Sequence, residues 1–284
     1  MKKISLIISL ISIFFLTGCI KRDTLEDITI YTTSYPIEFI TKYLYGEHSE
    51  VLSIYPVGVD INNYSLNKKQ IKDYSKGNMY IFNGLSKEKD YVPNMVNYNK
   101  SLMIIDAAQT IEYDSYVEEL WLNPSNFLMM AKNIKDGLSD YITNHYLKND
   151  IEVKYEELKV KISNIDAKLK LLSESASNTT IVTNTNALKF LEKYGFRVIS
   201  LDEEEISEKI ISDAKTILSN NKYLYTLDKD NLSETVSNIV TENSVEVIEL
   251  HKLSNLNEEE KSEKKDYVTL LNDNIEKLKS TLYN

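Results

Sequence analysis

The chain alternates short apolar runs with longer stretches whose apolar residues recur every three or four positions. Ile28–Thr32, Val51–Tyr55, Met79–Phe82 and Leu102–Ile105 have strand length and are rich in β-branched and aromatic residues. Pro36–Tyr45 places Ile37, Ile40, Tyr43 and Leu44 at helical spacing, with proline at the first helical position. Lys68–Lys76 reads as another helix. Strands are again expected at Thr180–Thr183, Val198–Leu201, Tyr223–Leu227 and Val245–Leu250. Helices are expected between them at Ala187–Tyr194 (closed by Gly195), Ser207–Ser219 and Leu232–Thr241, with a last one at Tyr267–Leu282. Asn257–Lys265 is so charged that it reads as a loop or frayed turn. Strands alternating with helices imply βαβ units and a parallel sheet.

The middle of the chain is purely helical in pattern. Asn123-Pro124 is a good start signal, an N-cap followed by proline, for a region running to about Tyr146. Ile151–Ser173 then carries apolar residues at 158, 162, 165, 169 and 172 and is mostly charged elsewhere. About three heptads fit, which is short for a coiled-coil partner, so the helix is expected to lie along both halves. The expected fold is α/β: two lobes, each a mainly parallel sheet flanked by helices, bridged by a long helix. The expected division is 28–146 for the N-terminal lobe, 147–174 for the bridge and 175–284 for the C-terminal lobe. Ligands of such sheets bind at the carboxyl ends of the strands, here in a cleft between lobes.

The first residues carry an address. Lys2 and Lys3 precede an apolar run, Ile4 to Leu16, too short for a good membrane span. Leu16-Thr17-Gly18-Cys19 follows and resembles the bacterial lipobox, whose cysteine is lipidated and becomes the mature N-terminus. Cys19 is the one cysteine, so no internal disulfide can form. Residues 1–18 are therefore expected to be a signal peptide and 19–27 a lipidated tether. The chain is then expected on the extracytoplasmic face of a bacterial cell membrane, held by lipid.

The 284 residues carry a formal charge of -10, and 42% of them are hydrophobic, enough for a packed core. Losing Lys2 and Lys3 makes the mature chain more acidic still. An acidic surface argues against nucleic acid and is compatible with attracting cations as a long-range bias. No Gly-rich phosphate loop, CxxC, HExxH or GxSxG occurs, which removes the common enzyme classes.

Four blocks stand out in order: Ile28-Thr-Ile-Tyr-Thr-Thr-Ser-Tyr-Pro36, Tyr55-Pro-Val-Gly-Val-Asp-Ile-Asn-Asn-Tyr64, Glu119-Leu-Trp-Leu-Asn-Pro124 and Ala187-Leu-Lys-Phe-Leu-Glu-Lys-Tyr-Gly195. Together they resemble the zinc/manganese-type (cluster A-I) solute-binding lipoproteins of bacterial ABC importers. The first is similar to that family's first strand and helix start, the second to its PPGVEPHDYEPS segment, the third to its HVWLDP segment and the fourth to the end of HDAFGYLAKRYG. The resemblance implies two α/β lobes joined by one helix, capture of zinc or manganese between them, and delivery to a permease and its ATPase by a monomer that is not an enzyme.

The resemblance also implies a site, and here the chain departs from it. The family holds its metal with three histidines and a carboxylate. Those positions fall on Asn62, on Glu119, on Thr185 (or on Asn184, if the following helix carries no deletion) and on His251. One imidazole, one carboxylate, one amide and one hydroxyl form a weaker set for Zn²⁺, with harder-metal character. The bland alternatives are turn or cap roles for Asn62 and Thr185, a solvated acid for Glu119 and a surface position for His251. Trp121 is expected to anchor the core beside the cleft, and His48 and His145 to be exposed. A histidine-rich loop typical of zinc-specific members is missing. The rival reading is a degenerate relative that acts as a surface adhesin or binds a non-metal solute.

Overall fold

The computed structural model describes residues 25–112, 119–203 and 206–283; the signal segment and Cys19 lie outside them. The first lobe holds β1 (Ile28–Thr32), β2 (Ser49–Ser53), β3 (Met79–Phe82) and β4 (Met103–Asp106), all parallel, in the order β2-β1-β3-β4. The second holds β5 (Thr180–Thr183), β6 (Arg197–Ser200), β7 (Tyr223–Thr226) and β8 (Glu246–Glu249) in the order β6-β5-β7-β8. The two sheets share one permutation. In each, the strand order reverses beside the first strand, and a crevice opens at that switch point.

Helices α1 (Tyr35–Tyr45), α2 (Lys68–Tyr74) and α3 (Val92–Tyr98) serve the first lobe. Helices α4 (Pro124–Tyr141) and α5 (His145–Ser175) occupy the middle. Helices α6 (Glu208–Asn221), α7 (Glu234–Asn243), α8 (Glu258–Ser262) and α9 (Tyr267–Leu282) complete the chain. Both expected sheets are present, with strand ends moved by one or two residues.

The bridge is α5. It buries Leu158, Ile162, Ile165, Leu169 and Leu172, the stripe that the spacing picks out. It touches α1 and α4 on one side and α9 with the 3₁₀ segment Asn186–Tyr194 on the other. Tyr194 donates to Asp166 at 2.7 Å, and Ser173 donates to the Tyr194 carbonyl at 2.5 Å. No helix among the described residues is long and apolar enough to cross a membrane.

Several local expectations are corrected. The helix that starts at Pro124 ends at Tyr141, not near Tyr146, and the bridge begins at His145, not Ile151. The break is set by Asn144, whose side chain caps the Tyr146 N–H. Residues 186–194 wind as a 3₁₀ helix, closed by Gly195 at φ 103°. The charged stretch after Asn257 contains a true helix, α8, started by a capping box between Asn257 and Glu260.

Candidate metal centre

The strand carboxyl ends of the two lobes meet along one seam. Tyr35 N–H donates to the Ser254 carbonyl at 3.0 Å, and Gly58 N–H to the Leu256 carbonyl at 3.0 Å. The Asn255 amide donates to the carbonyls of Pro56 and Val59 at 2.8 and 3.0 Å. Trp121, 3% exposed, donates its indole N–H across the seam to the Lys252 carbonyl at 2.8 Å. Its own carbonyl accepts from the buried Tyr267 hydroxyl. Trp121 is thus the anchor expected of it, and it joins the lobes.

Asn62, Glu119, Thr185 and His251 each lie in a segment that follows a strand, in different local roles, and Asn62 and His251 line separate cavities. Asn62 is exposed in the turn after β2; its N–H donates to Asp60 at 3.0 Å and its carbonyl accepts from Lys87 at 2.5 Å. Asn62 and Trp121 line one cavity of about 240 Å³ with Asn83 and Glu88. Glu119 is buried, not a solvated acid, and its backbone is left-handed at φ 50°. Such a backbone costs roughly 1–3 kcal/mol in a non-glycine residue and collects at functional sites. Leu253, on the facing loop, is left-handed as well, at φ 59°.

Thr185 caps the 3₁₀ segment, its hydroxyl accepting from Ala187 N–H at 3.1 Å. His251 follows β8 and is mostly buried, not a surface histidine. Its Nδ1 accepts from the Leu253 N–H at 2.9 Å, so the neutral ring carries its proton on Nε2, which meets Glu260 at 3.1 Å. Both ring nitrogens are engaged, and metal ligation by Nε2 requires Glu260 to yield or to share the ion. Burial holds the His251 pKa below its ordinary 6.5, against the opposing pull of Glu260.

A cavity of about 500 Å³ opens beside His251 between the Asp60 loop and the second lobe. It is lined by Asp60, Asp228, Glu249, Glu260, Lys252 and Lys277, among others. Sequence reasoning missed these charges. Asp228 follows β7 at the second switch point, where topology alone would have pointed. Lys252 sits beside His251, and Glu260 was hidden in a charged run. The Lys252 ammonium meets Asp228 at 2.9 Å. Burial opposes its charge, but Asp228, with Glu119 and Asp60 beyond it, outweighs burial and raises its pKa. Ser34 Oγ and both polar atoms of the Asn186 amide are buried without hydrogen-bond partners at the ends of β1 and β5. Such groups cost about 1–3 kcal/mol each.

A second group of candidate ligands lies at the amino end of β2, the edge strand of the first sheet. Atoms of Glu47, His48 and Asp150 fall within 4.8 Å of one another. His48, expected to be exposed, is half-buried against Asp150 at 3.2 Å, whereas His145 is exposed. The Lys154 ammonium already lies 3.0 Å from Asp150 and 3.3 Å from Glu47, so this group carries its own cation.

Two parallel-sheet lobes of one permutation, a single bridging helix and a polar seam define the class of helix-bridged, two-lobed α/β proteins. Residues 30–281 match the family described as ZnuA, zinc-uptake complex component A, periplasmic. The zinc-binding lipoprotein AdcA of Streptococcus pneumoniae is 21% identical over 99% of this chain and 61% of its own length. This chain thus spans about three-fifths of that relative. A metal ABC transporter substrate-binding lipoprotein of Lactococcus lactis is 28% identical over 66% of each chain. The solved metal-dependent lipoprotein YcdH of Bacillus subtilis superposes with a TM-score of 0.75 at 20% identity, covering 91% of this chain and 100% of that one. The chain belongs to the ZnuA family.

Proposed function

We propose that this chain is the extracytoplasmic solute-binding lipoprotein of a zinc/manganese-type ABC importer. It captures a divalent cation between its lobes and passes it to a permease and its ATPase, without chemistry on the cargo. The observation that carries the reading is the family match over residues 30–281 on a two-lobed fold whose seam is bonded by Trp121 to Lys252; Glu119, two residues before Trp121, and His251, one before Lys252, are the ligands it takes from the two lobes. Asn62 and Thr185 stand at the two remaining positions as weak oxygen donors. Residues 28–146, 147–174 and 175–284 act as lobe, bridge and lobe of a monomer, tethered by lipid on Cys19.

The donor chemistry sets the strength. Tight zinc sites use about four good nitrogen, sulfur or carboxylate donors. Here the Thr185 hydroxyl is spent on a cap and His251 is held by Glu260. Capture is therefore weaker than a three-histidine site gives. Elemental analysis of the detergent-solubilised full-length protein tests the reading: zinc or manganese near one equivalent supports it. Absence of both, with no uptake on titration, moves the weight to the adhesin or other-solute alternative. Cys19→Ser tests the anchor, and release from the membrane fraction is expected; retention after detergent-free washing contradicts it.

A further inference from the structure

The cavity beside His251 holds acidic groups from both lobes, each already answered from within the chain. Asp228 is answered by the Lys252 ammonium at 2.9 Å, and Glu260 by His251 at 3.1 Å. Asp60 accepts from the Asn62 N–H and the Asn63 amide. Lys277 closes the far wall, donating to the Glu249 carbonyl at 2.7 Å.

Lys252 is the member that decides access. It directly follows His251, and its carbonyl is pinned by the Trp121 indole, so the stem cannot swing away as a whole. Its side chain is only 32% exposed. The ammonium thus stands in the cavity beside His251, paired with Asp228 and within the field of Glu119 and Asp60, where a captured dication would meet its charge. Two cations beside the same carboxylates repel, and a dication gains less from Asp228 while the ammonium remains paired with it.

We propose that Lys252 is a tethered counter-cation of the cleft, which neutralises Asp228 in the metal-free protein and must be displaced for a divalent cation to bind. It sets affinity: it weakens the binding of divalent cations and makes capture depend on expelling an ammonium. The inference rests on the metal-binding reading of the same cleft. It also accounts for a family member that keeps the architecture with few good donors, because the charge that a metal would supply is partly built in.

The test is calorimetric titration of zinc chloride into the detergent-solubilised full-length protein, stripped by chelator, for the parent, Lys252→Met and Lys252→Arg. Methionine keeps the apolar stem and removes the charge; arginine keeps the charge. The expected result is zinc binding tighter by about tenfold or more in Lys252→Met and unchanged within about threefold in Lys252→Arg. Lys252→Gln carries the same expectation as methionine if that variant does not fold. Zinc binding in the parent that is equal or weaker in the charge-removed variants overturns the inference and leaves the metal reading standing. No zinc binding in any variant overturns both. A gain that appears equally in Lys252→Arg also overturns it, because the effect would then come from shape and not charge.

Discussion

At the residue scale, His251 illustrates how much a position can imply while its side chain stays unread. The order of blocks put it after β8 at the seam, where it is found. Nothing in Leu250-His-Lys-Leu253 indicated that Nδ1 would accept from Leu253 or that Glu260 would reach Nε2, because both depend on how loop and helix fold back. Its folded pKa lies below the ordinary 6.5 because the ring is buried. Between those two values the unfolded chain binds the proton more readily than the folded one. Stability from the neutral ring is therefore fully present above 6.5 and is lost as pH falls through that window. Melting of the parent from pH 7.5 to 5 should show this loss, and His251→Gln should flatten it; identical slopes would contradict the assignment. Glu260→Gln removes the carboxylate that favours the charged ring, so the His251 pKa, followed by NMR titration, should fall further. Trp121→Phe loses the indole bond across the seam and should cost about 1–2 kcal/mol in denaturant melts.

At the scale of elements, periodicity found what was amphipathic and missed what was not. The α5 stripe at 158, 162, 165, 169 and 172 was legible because burial against both lobes demands it. The stop between α4 and α5 was not, because Ile142 and Leu147 are both buried and no glycine or proline interrupts them. Only the Asn144 cap marks the boundary. Helix α8 buries no residue of its own, so no stripe betrays it; its signal was the Asn257-to-Glu260 capping box inside a charge run. Ile162, fully buried at the middle of α5, is where continuity can be tested. Ile162→Pro removes a helical hydrogen bond and a buried side chain and should cost about 3 kcal/mol or more. A variant that melts with the parent would mean that the bridge is a mere linker. Asn257→Ala should cost about 1 kcal/mol locally and loosen Glu260 from His251, lowering the imidazole pKa in the same direction as Glu260→Gln.

At the scale of the whole molecule, the two lobes are docked as well as bridged. Tyr267 of α9 stacks on Phe127 of α4 at 3.9 Å and on Phe39 of α1 at 5.8 Å, so the last helix is packed into the first lobe. With the seam bonds of Tyr35, Gly58, Asn255 and Trp121, this leaves room for small shifts and not a wide hinge. The fold was readable because repeated strand–helix alternation has few solutions. The charges of the cavity beside His251 were not readable, since Asp228 and Lys252, and His251 and Glu260, meet only after folding. The central claim is capture of a divalent cation by Glu119 and His251 from opposite lobes. The measurement that tests it most directly is calorimetric titration of zinc into the parent, Glu119→Ala and His251→Ala proteins at one pH. One site per parent chain is expected, with affinity falling by about a hundredfold or more, on the order of 3 kcal/mol, in each variant. Zinc that binds the parent tightly and survives both substitutions would place the ligands elsewhere and contradict the account.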